Sequence, residues 1–137
     1  MSELNFAMDL AAQGMKAQSM RMRVISQNIA NSETTSLEAG GDPYRRQTLS
    51  FRNQLDRATG VNNVVVEGVR NDDTDFVLKL DPSHPAADEN GYVKMPNVNP
   101  LVEMMDMREA QRSYEANLGI IDMSRTMLMR TIDLLRA

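Results

Sequence analysis

Residues 4–29 read LNFAMDLAAQGMKAQSMRMRVISQNI and contain the pattern from which the fold class follows. Alternating spacings of four and three residues link eight positions, seven of them apolar: Leu4, Met8, Ala11, Met15, Gln18, Met22, Ile25 and Ile29. This spacing is typical of the a and d positions of a coiled coil. Because residues 3–31 contain no proline and a single glycine, we predict one helix, roughly 40 Å long.

A second long helix is predicted from Pro100 to Ala137. Asn99 is a good N-cap, and Pro100 takes the first helical position, where its missing N–H costs nothing. Its predicted seam is apolar at eight of ten positions: Met104, Met107, Gln111, Tyr114, Leu118, Ile121, Arg125, Leu128, Ile132 and Leu135. Further apolar residues flank this seam, so the helix has more apolar surface than one antiparallel partner would cover.

Three polar residues interrupt the two seams. Gln18 lies in the first helix, and Gln111 and Arg125 lie in the second. A polar side chain inside a coiled-coil seam can fix its register at some cost in stability. Alternatively, these positions face water where the helices diverge.

The chain divides into an N-terminal helix (1–32), a middle segment (33–98) and a C-terminal helix (99–137). In the middle segment, residues 44–51 could form a short strand, and residues 64–69 and 75–80 resemble two strands joined by the turn 71–74. The predicted fold is therefore mainly α, with the terminal helices paired as an antiparallel coiled-coil inner domain. The middle is expected to be small, with short strands and loops.

Composition argues against catalysis, cofactors and nucleic acid. The chain has no cysteine, so thiolate metal sites and a cysteine nucleophile are excluded. Its net charge is −4, without a basic stripe for nucleic acid. The single histidine, His84, lies between prolines in a turn, where a surface residue is the ordinary explanation. No apolar run is long enough to span a bilayer, and no cleavable signal is visible at the N-terminus.

Two acidic groups could suggest a metal site. The loop 81–89 lacks the ligand spacing of a calcium loop, and turn formation explains its residues better. Glu103, Asp106 and Glu109 share one face of the second predicted helix, with Arg108 and Arg112 at salt-bridge spacing. We interpret them as an exposed charged stripe and expect no metal ion.

Several motifs resemble the bacterial flagellar axial proteins, the family of rod and hook subunits. The segment SQNIANSET (26–34) is similar to the family's signature at the end of the first helix. DPSHP (81–85), GYV (91–93), PNVN (96–99) and RSYEAN (112–117) resemble the short proximal-rod members more closely. Together these motifs extend over nearly the whole chain.

The resemblance implies a structural subunit, stacked helically in the proximal rod that joins the membrane (MS) ring to the distal rod and transmits motor torque. Implied partners are copies of itself, other rod subunits, the MS ring with its rod adaptor, and the flagellar type III export apparatus. The implied location is the basal body, reached by export without signal cleavage. The expected assembly contacts are the two seams and the family motifs: Leu4, Met8, Met15, Met22, Ile25, Asn28, Ile29, Asn31, Met104, Met107, Arg112, Tyr114, Asn117, Leu118, Ile121, Leu128, Ile132 and Leu135.

Two other classes of function compete with a rod subunit. A helical export chaperone or adaptor would use the wide apolar face to receive a partner helix and would stay in the cytoplasm as a small oligomer. A small enzyme has the least support, since the sequence lacks a recognisable set of catalytic residues. Recovery of the chain in purified basal bodies distinguishes the rod subunit from both.

Overall fold

The computed structural model describes residues 2–137, and a long helix lies at each end of that range. The elements are α1 (Ser2–Ala30), β1 (Gln47–Asp56), β2 (Val61–Asn71), β3 (Val77–Leu80), β4 (Tyr92–Met95) and α2 (Pro100–Arg136). The N-cap predicted for α2 is confirmed, because the Leu101 N–H donates a hydrogen bond to Asn99 Oδ1 at 3.1 Å. The predicted fold class, mainly α with a small β-containing middle, is also confirmed.

Two compact units divide the chain, and each helix contributes to both. The first unit contains α1 up to Met22, Phe51–Glu67 and Arg108–Ala137. The second contains Arg23–Ser50 and Gly68–Met107. No helix within residues 2–137 has the length and apolar content needed to cross a membrane.

The helices pair in antiparallel fashion. In the first unit, a Cβ added to Gly14 would lie only 2.7 Å from Asn117 Nδ2, so the absent side chain permits a close approach. Arg21 Nη2 lies 3.6 Å from Glu109 Oε2 in the same unit. The later residue of α1, Arg21, thus contacts the earlier residue of α2, Glu109. This order is the one expected for antiparallel helices.

The seam of α1 lies where the sequence predicted it, but the seam of α2 is partly displaced. Every predicted α1 position is buried or half-buried. On α2 the half-buried positions Met107, Tyr114, Ile121 and Leu128 agree with the prediction. The alternate positions were predicted one residue too late: Glu103, Ala110, Asn117 and Ser124 are covered, while Met104, Gln111, Leu118 and Arg125 are exposed.

Side-chain size explains this displacement. Ala110 is 0% exposed, and Gly14 contacts the side chain of Asn117, so small residues let the two helices approach closely. A pattern judged only by hydrophobicity favours Leu118 over Asn117 and misses the effect of size. Several larger apolar side chains of α2, such as Met104 and Leu118, are left on its surface.

The polar seam residues differ in their environment. Gln111 and Arg125 face water, which agrees with the second of the two interpretations. Gln18 is half-buried, and its Oε1 is a buried side-chain oxygen with no hydrogen-bond partner within residues 2–137. Burial of this oxygen inside the seam is therefore unfavourable, because its lost hydration is not replaced by a hydrogen bond.

The middle segment forms two separate two-stranded sheets. β1 pairs with β2, and their four-residue connection makes them an antiparallel hairpin. β3 pairs with β4 in antiparallel register, from Val77 opposite Met95 to Leu80 opposite Tyr92. The strands expected at residues 64–69 and 75–80 both exist, but each pairs with a different strand. Local propensity predicts where strands form but does not select which strand each one pairs with.

We predict that Ala110→Leu lowers the free energy of unfolding by about 1–3 kcal/mol, because no space exists at this contact for a larger side chain. Urea unfolding followed by far-UV circular dichroism measures the effect. Ala116→Leu is the matched control, since Ala116 is an exposed residue of the same helix. Equal stability of the two variants would contradict the close approach of the helices.

Candidate assembly surfaces and their polar anchor

The side chain of Asn28, near the end of α1, is 1% exposed. Its Nδ2 donates hydrogen bonds to the Gln47 carbonyl at 2.8 Å and to Glu103 Oε2 at 3.3 Å. Its Oδ1 accepts hydrogen bonds from the Gln47 N–H and the Tyr44 hydroxyl, both at 2.9 Å. Every hydrogen-bonding position of this amide is used, which offsets the cost of burying it. Asn28 therefore links α1 to β1 and to α2.

The carboxylate of Glu103 is equally buried and pairs with Arg46, whose Nε donates to Glu103 Oε1. Arg46 Nη1 lies 3.1 Å from Asp72 Oδ2, and Nη2 lies 3.8 Å from Asp106 Oδ2. One guanidinium thus serves three carboxylates, a use suited to its planar fork of donors. We call Asn28, Tyr44, Arg46, Asp72 and Glu103 the polar anchor.

Asn97 and Arg45 hold the loop that follows β2 beside the polar anchor. Asn97 Nδ2 donates to the carbonyls of Asp72 and Thr74 at 3.0 and 3.1 Å. Arg45 Nη1 donates to the same two carbonyls at 3.0 and 3.3 Å. The Arg45 guanidinium also lies 4.3 Å from the centroid of the Phe76 ring, a cation–π distance. The loop is therefore fixed from both sides.

Two pKa values reflect the electrostatics of the polar anchor. Hydrogen bonds from the Thr74 backbone, and then from its side chain and from Arg46, lower the pKa of Asp72 despite partial burial. Burial raises the pKa of the Tyr44 phenol, and the negative charge of Glu103 raises it further. Both shifts favour the protonation states that the hydrogen bonds require at neutral pH.

Asn31 has a different role from Asn28, because it closes the end of α1. Its Nδ2 donates to the Gln27 carbonyl at 2.9 Å, and its Oδ1 accepts from the Thr34 hydroxyl at 3.1 Å. The Gln27 carbonyl also accepts the Asn31 backbone N–H at 3.0 Å, so Asn31 donates two hydrogen bonds to the last turn of the helix. Of the two asparagines in the NIAN segment, residues 28–31, Asn28 therefore connects α1 to β1 and α2, and Asn31 caps α1.

An apolar stripe on α2, here called the outer stripe, lies away from the seam. It consists of Ala116, Ile120, Met123, Met127 and Leu134. At 100° per residue, these positions lie about a third of a turn from the seam. Met123 is 62% exposed and Leu134 is 78% exposed. Such a contiguous apolar surface is typical of a protein–protein contact.

A second face of α1 also carries apolar residues. Within the first unit, Ala17 and Met20 line a groove of about 270 Å³ together with Val64–Val66 of β2. Phe6 and Leu10 continue the same helical face toward the N-terminus but are exposed. This face is therefore covered by the hairpin along only part of its length.

The residues predicted as assembly contacts fall into three groups. Ile25 and Asn28 are buried within the chain. The half-buried group is Leu4, Met8, Met15, Met22, Ile29, Asn31, Met107, Tyr114, Asn117, Ile121, Leu128 and Ile132. The exposed group is Met104, Arg112, Leu118 and Leu135. Most of the predicted residues are thus at least partly covered within a single copy of the chain.

The interpretation of the α2 carboxylates as an exposed stripe holds for Glu109 but is wrong for Glu103, which is buried, and for Asp106, which is half-buried. Glu103 is buried against Arg46, Asp106 also approaches Arg46, and Glu109 pairs with Arg21. Sequence reasoning considered only partners within one helical turn, whereas Arg46 is 57 residues from Glu103. The available signal was the four-residue spacing between Glu103 and the predicted seam residue Met107, which places both on one face of the helix. A carboxylate at a seam position needs a cation.

The turns predicted around His84 are confirmed. His84 Nδ1 accepts a hydrogen bond from the Ala86 N–H at 3.0 Å, and Asp88 Oδ1 accepts from the N–H groups of Asn90 and Tyr92, both at 2.9 Å. These side chains serve their own backbone. Across residues 2–137, no three His, Asp or Glu side chains are grouped to hold a metal ion.

Comparison with known proteins identifies the family. Residues 8–36 match the family described as "Flagella basal body rod protein", and residues 89–134 match "Flagellar basal body rod FlgEFG protein C-terminal". The flagellar basal-body rod protein FlgC of Agrobacterium fabrum is 51% identical over 137 residues, covering 100% of this chain and 99% of that protein. The chain belongs to the FlgC family of flagellar basal-body rod proteins.

More distant FlgC proteins match over a similar length. FlgC of Bacillus subtilis is 35% identical over 143 residues, covering 93% of this chain and 95% of that protein. FlgC of Salmonella typhimurium is 37% identical over 128 residues, covering 92% and 93%. Membership of the FlgC family confirms the predictions of a flagellar rod protein and of a structural role instead of an enzymatic one.

The polar anchor joins residues inside and outside the two matched segments. Asn28 and Glu103 lie within them, whereas Tyr44, Arg46 and Asp72 lie between them. The sequence did not predict these three, because the middle segment was expected to hold only short strands and loops. In this FlgC-family chain, the middle segment supplies the cation that makes the buried Glu103 tolerable.

We predict that Arg46→Met lowers the free energy of unfolding by about 2–4 kcal/mol, because it leaves Glu103 buried without a cation. The double variant Arg46→Met/Glu103→Met should recover part of that loss, since it removes the unpaired charge. Urea unfolding of the two single variants and the double variant completes the cycle. Strictly additive losses would show that the two residues do not act as a pair.

We predict an acid-dependent contribution from Asp72. Its folded pKa lies below the ordinary value of 3.8, so the carboxylate stabilises the fold above that value and loses this contribution as pH falls through the folded pKa. Asp72→Asn should therefore cost about 1 kcal/mol at pH 7, with the difference shrinking below the ordinary pKa. Urea unfolding at several pH values measures this trend. The exposed neighbour Asp73, changed to Asn, should show little effect, and identical pH profiles for the two variants would contradict the assignment.

Proposed function

We propose that this chain is a structural subunit of the flagellar basal-body rod, stacked helically in its proximal part. The observation that carries the proposal is the outer stripe of α2. Because the helix pair already buries the seam, the exposed Ile120, Met123 and Met127 need a different partner. A subunit surrounded by copies and by other rod subunits provides it.

Helical stacking follows from the difference between the surfaces on the two helices. The outer stripe of α2 and the exposed Phe6 and Leu10 of α1 are distinct patches. If one patch packs against the other on a neighbour, the contact is heterologous, and such contacts continue as a helix unless the rotation closes a ring. Exposed methionines suit this role, because their flexible side chains adapt to neighbours that are not identical.

Torque transmission requires a subunit that resists local deformation, and the polar anchor supplies such resistance in the second unit. Asn28, Arg46 and Glu103 connect α1, the start of the middle segment and α2 by charged and neutral hydrogen bonds. Hydrogen bonds fix direction and distance, unlike apolar contacts, which can slide. We infer that the polar anchor keeps the helix register under load.

Delivery and position in the assembly belong to the same proposal. The proposed partners are the MS ring, its rod adaptor and adjoining rod subunits, with the rod spanning the periplasm. The chain would reach them unfolded through the flagellar type III apparatus, without signal cleavage. A chain without cysteines suits that route, since it needs no disulfide to fold after export. The apolar stripes would then be covered only on assembly.

We predict that the double variant Ile120→Asp/Met123→Asp is not incorporated into basal bodies, because two charges would be buried without partners. Its free energy of unfolding as an isolated chain should stay within about 1 kcal/mol of the parent, since both positions are exposed. Expression in a strain lacking the gene, followed by basal-body purification and a swimming assay, measures incorporation.

Gln111→Asp is the matched control, because Gln111 is exposed on α2 outside the outer stripe. This variant should assemble and swim normally. Normal motility of the double variant would overturn the outer stripe as an assembly surface. A parent chain found only in a soluble cytoplasmic pool would overturn the rod assignment and favour a chaperone.

A further inference from the structure

The small sheet in the second unit leaves one edge of β3 without a partner. The Asp81 N–H donates to the Gly91 carbonyl at 2.9 Å, which makes these opposite residues a hydrogen-bonded pair. Hydrogen-bonded pairs alternate along an antiparallel ladder, so the backbone N–H and C=O groups of Leu78 and Leu80 point away from β4. Neither of the two sheets within residues 2–137 places another strand against this edge.

The same two leucines lie on the outward face of the sheet. The register places Lys79 opposite Val93, which is 1% exposed, so that face is directed inward. Leu78 and Leu80 therefore face outward together with Tyr92, and the leucines are 60% and 62% exposed. We call Leu78, Leu80 and Tyr92 the β3 patch. An antiparallel sheet with one solvated face normally places polar residues there.

An open edge beside an apolar patch is the arrangement that binds an added β-strand. The backbone groups provide hydrogen bonds, and the patch selects apolar side chains at alternate positions of the incoming strand. An unprotected edge of this kind is otherwise an aggregation hazard. If assembly into the rod covers this edge, the edge is no longer available for aggregation.

Charge indicates which strand fits. Residues 72–91, which include β3 and its flanking loops, contain six acidic residues and one lysine. The incoming strand should therefore be basic near its apolar positions. β1 and the turn after it meet this requirement: Phe51 and Leu55 are exposed on one face of the strand, and Arg52 within it and Arg57 just beyond its end are exposed. Within residues 2–137, no strand other than β2 pairs with β1, whose backbone at Gln47 is bound by the Asn28 side chain.

We propose that β1 of one copy of this chain adds to the open edge of β3 in a neighbouring copy, with Phe51 and Leu55 against the β3 patch. The inference rests on the proposed function, since it names a contact between copies within the rod. It is heterologous, because β1 and β3 are different surfaces, so successive copies extend the assembly without closing a pair. The basic residues Arg52 and Arg57 of the first copy then face the acidic surface around β3 of the second, which includes Asp73 and Asp75.

Cysteine cross-linking tests this contact directly, because the natural chain contains no cysteine. The double variant Leu55→Cys/Leu80→Cys is expressed in a strain lacking the gene, and purified basal bodies are treated with a short bismaleimide. The expected product is a ladder of dimers and higher multimers of this chain alone. Leu37→Cys/Leu55→Cys is the matched control, since Leu37 is 97% exposed outside both strands, and it should give no ladder.

Charge reversal provides a second test that does not depend on the cysteine variants. Arg52→Glu/Arg57→Glu and Asp73→Arg/Asp75→Arg should each reduce incorporation into basal bodies about tenfold, because each places like charges together. Combining all four substitutions restores opposite charges at the contact and should return incorporation to within about twofold of the parent. All four side chains are exposed, so folding should be unaffected.

The outcomes separate this inference from the proposed function. A ladder specific to Leu55 and Leu80, together with rescue by the fourfold charge reversal, supports the β1–β3 contact. If the chain is present in basal bodies but cross-links only to a different subunit, or the fourfold variant does no better than either pair, the contact is overturned and the rod assignment stands. If the parent chain is absent from basal bodies, both the β1–β3 contact and the rod assignment are overturned.

Discussion

The buried ion pair between Glu103 and Arg46 is the constraint on which the second unit depends. A carboxylate with 1% exposure is tolerated only when a cation and further hydrogen bonds compensate for its lost hydration. Arg46 supplies the cation, and the Asn28 amide supplies a hydrogen bond while it also fixes the backbone of Gln47. Because these donors come from α1 and the middle segment, Glu103 can be buried only when all three segments are in place.

Close helix packing has a consequence for the surface of α2. Small side chains at the seam, such as Ala110 and Ser124, bring the helices together but bury little apolar area themselves. The large apolar residues of α2, including Met123 and Leu134, remain outside. A chain built in this way is less stable as a monomer than one that buries these residues, but neighbouring subunits can cover them. Its apolar content is thus divided between folding and assembly.

Much of the architecture could be predicted from local patterns. The heptad spacing of α1, the Asn99 cap of α2 and the turns around His84 depend on residues within a few positions of one another, so the sequence alone reveals them. The α2 seam was predicted correctly at Tyr114 and Ile121 but not at Ala110 or Asn117. Hydrophobic periodicity detects apolar character, whereas a close helix contact selects for size.

Local sequence patterns alone predicted the two helices, their amphipathic character and the resemblance to a family. The burial of Glu103, its pairing with Arg46 and the placement of β2 and β3 in different sheets became visible only in the folded chain. Helix periodicity and capping depend on residues within a few positions of one another. The ion pair instead joins residues that are adjacent only after folding, and strand propensity does not select a strand's partner. The middle segment, expected to hold only short strands and loops, therefore supplies the cation for the buried carboxylate of α2.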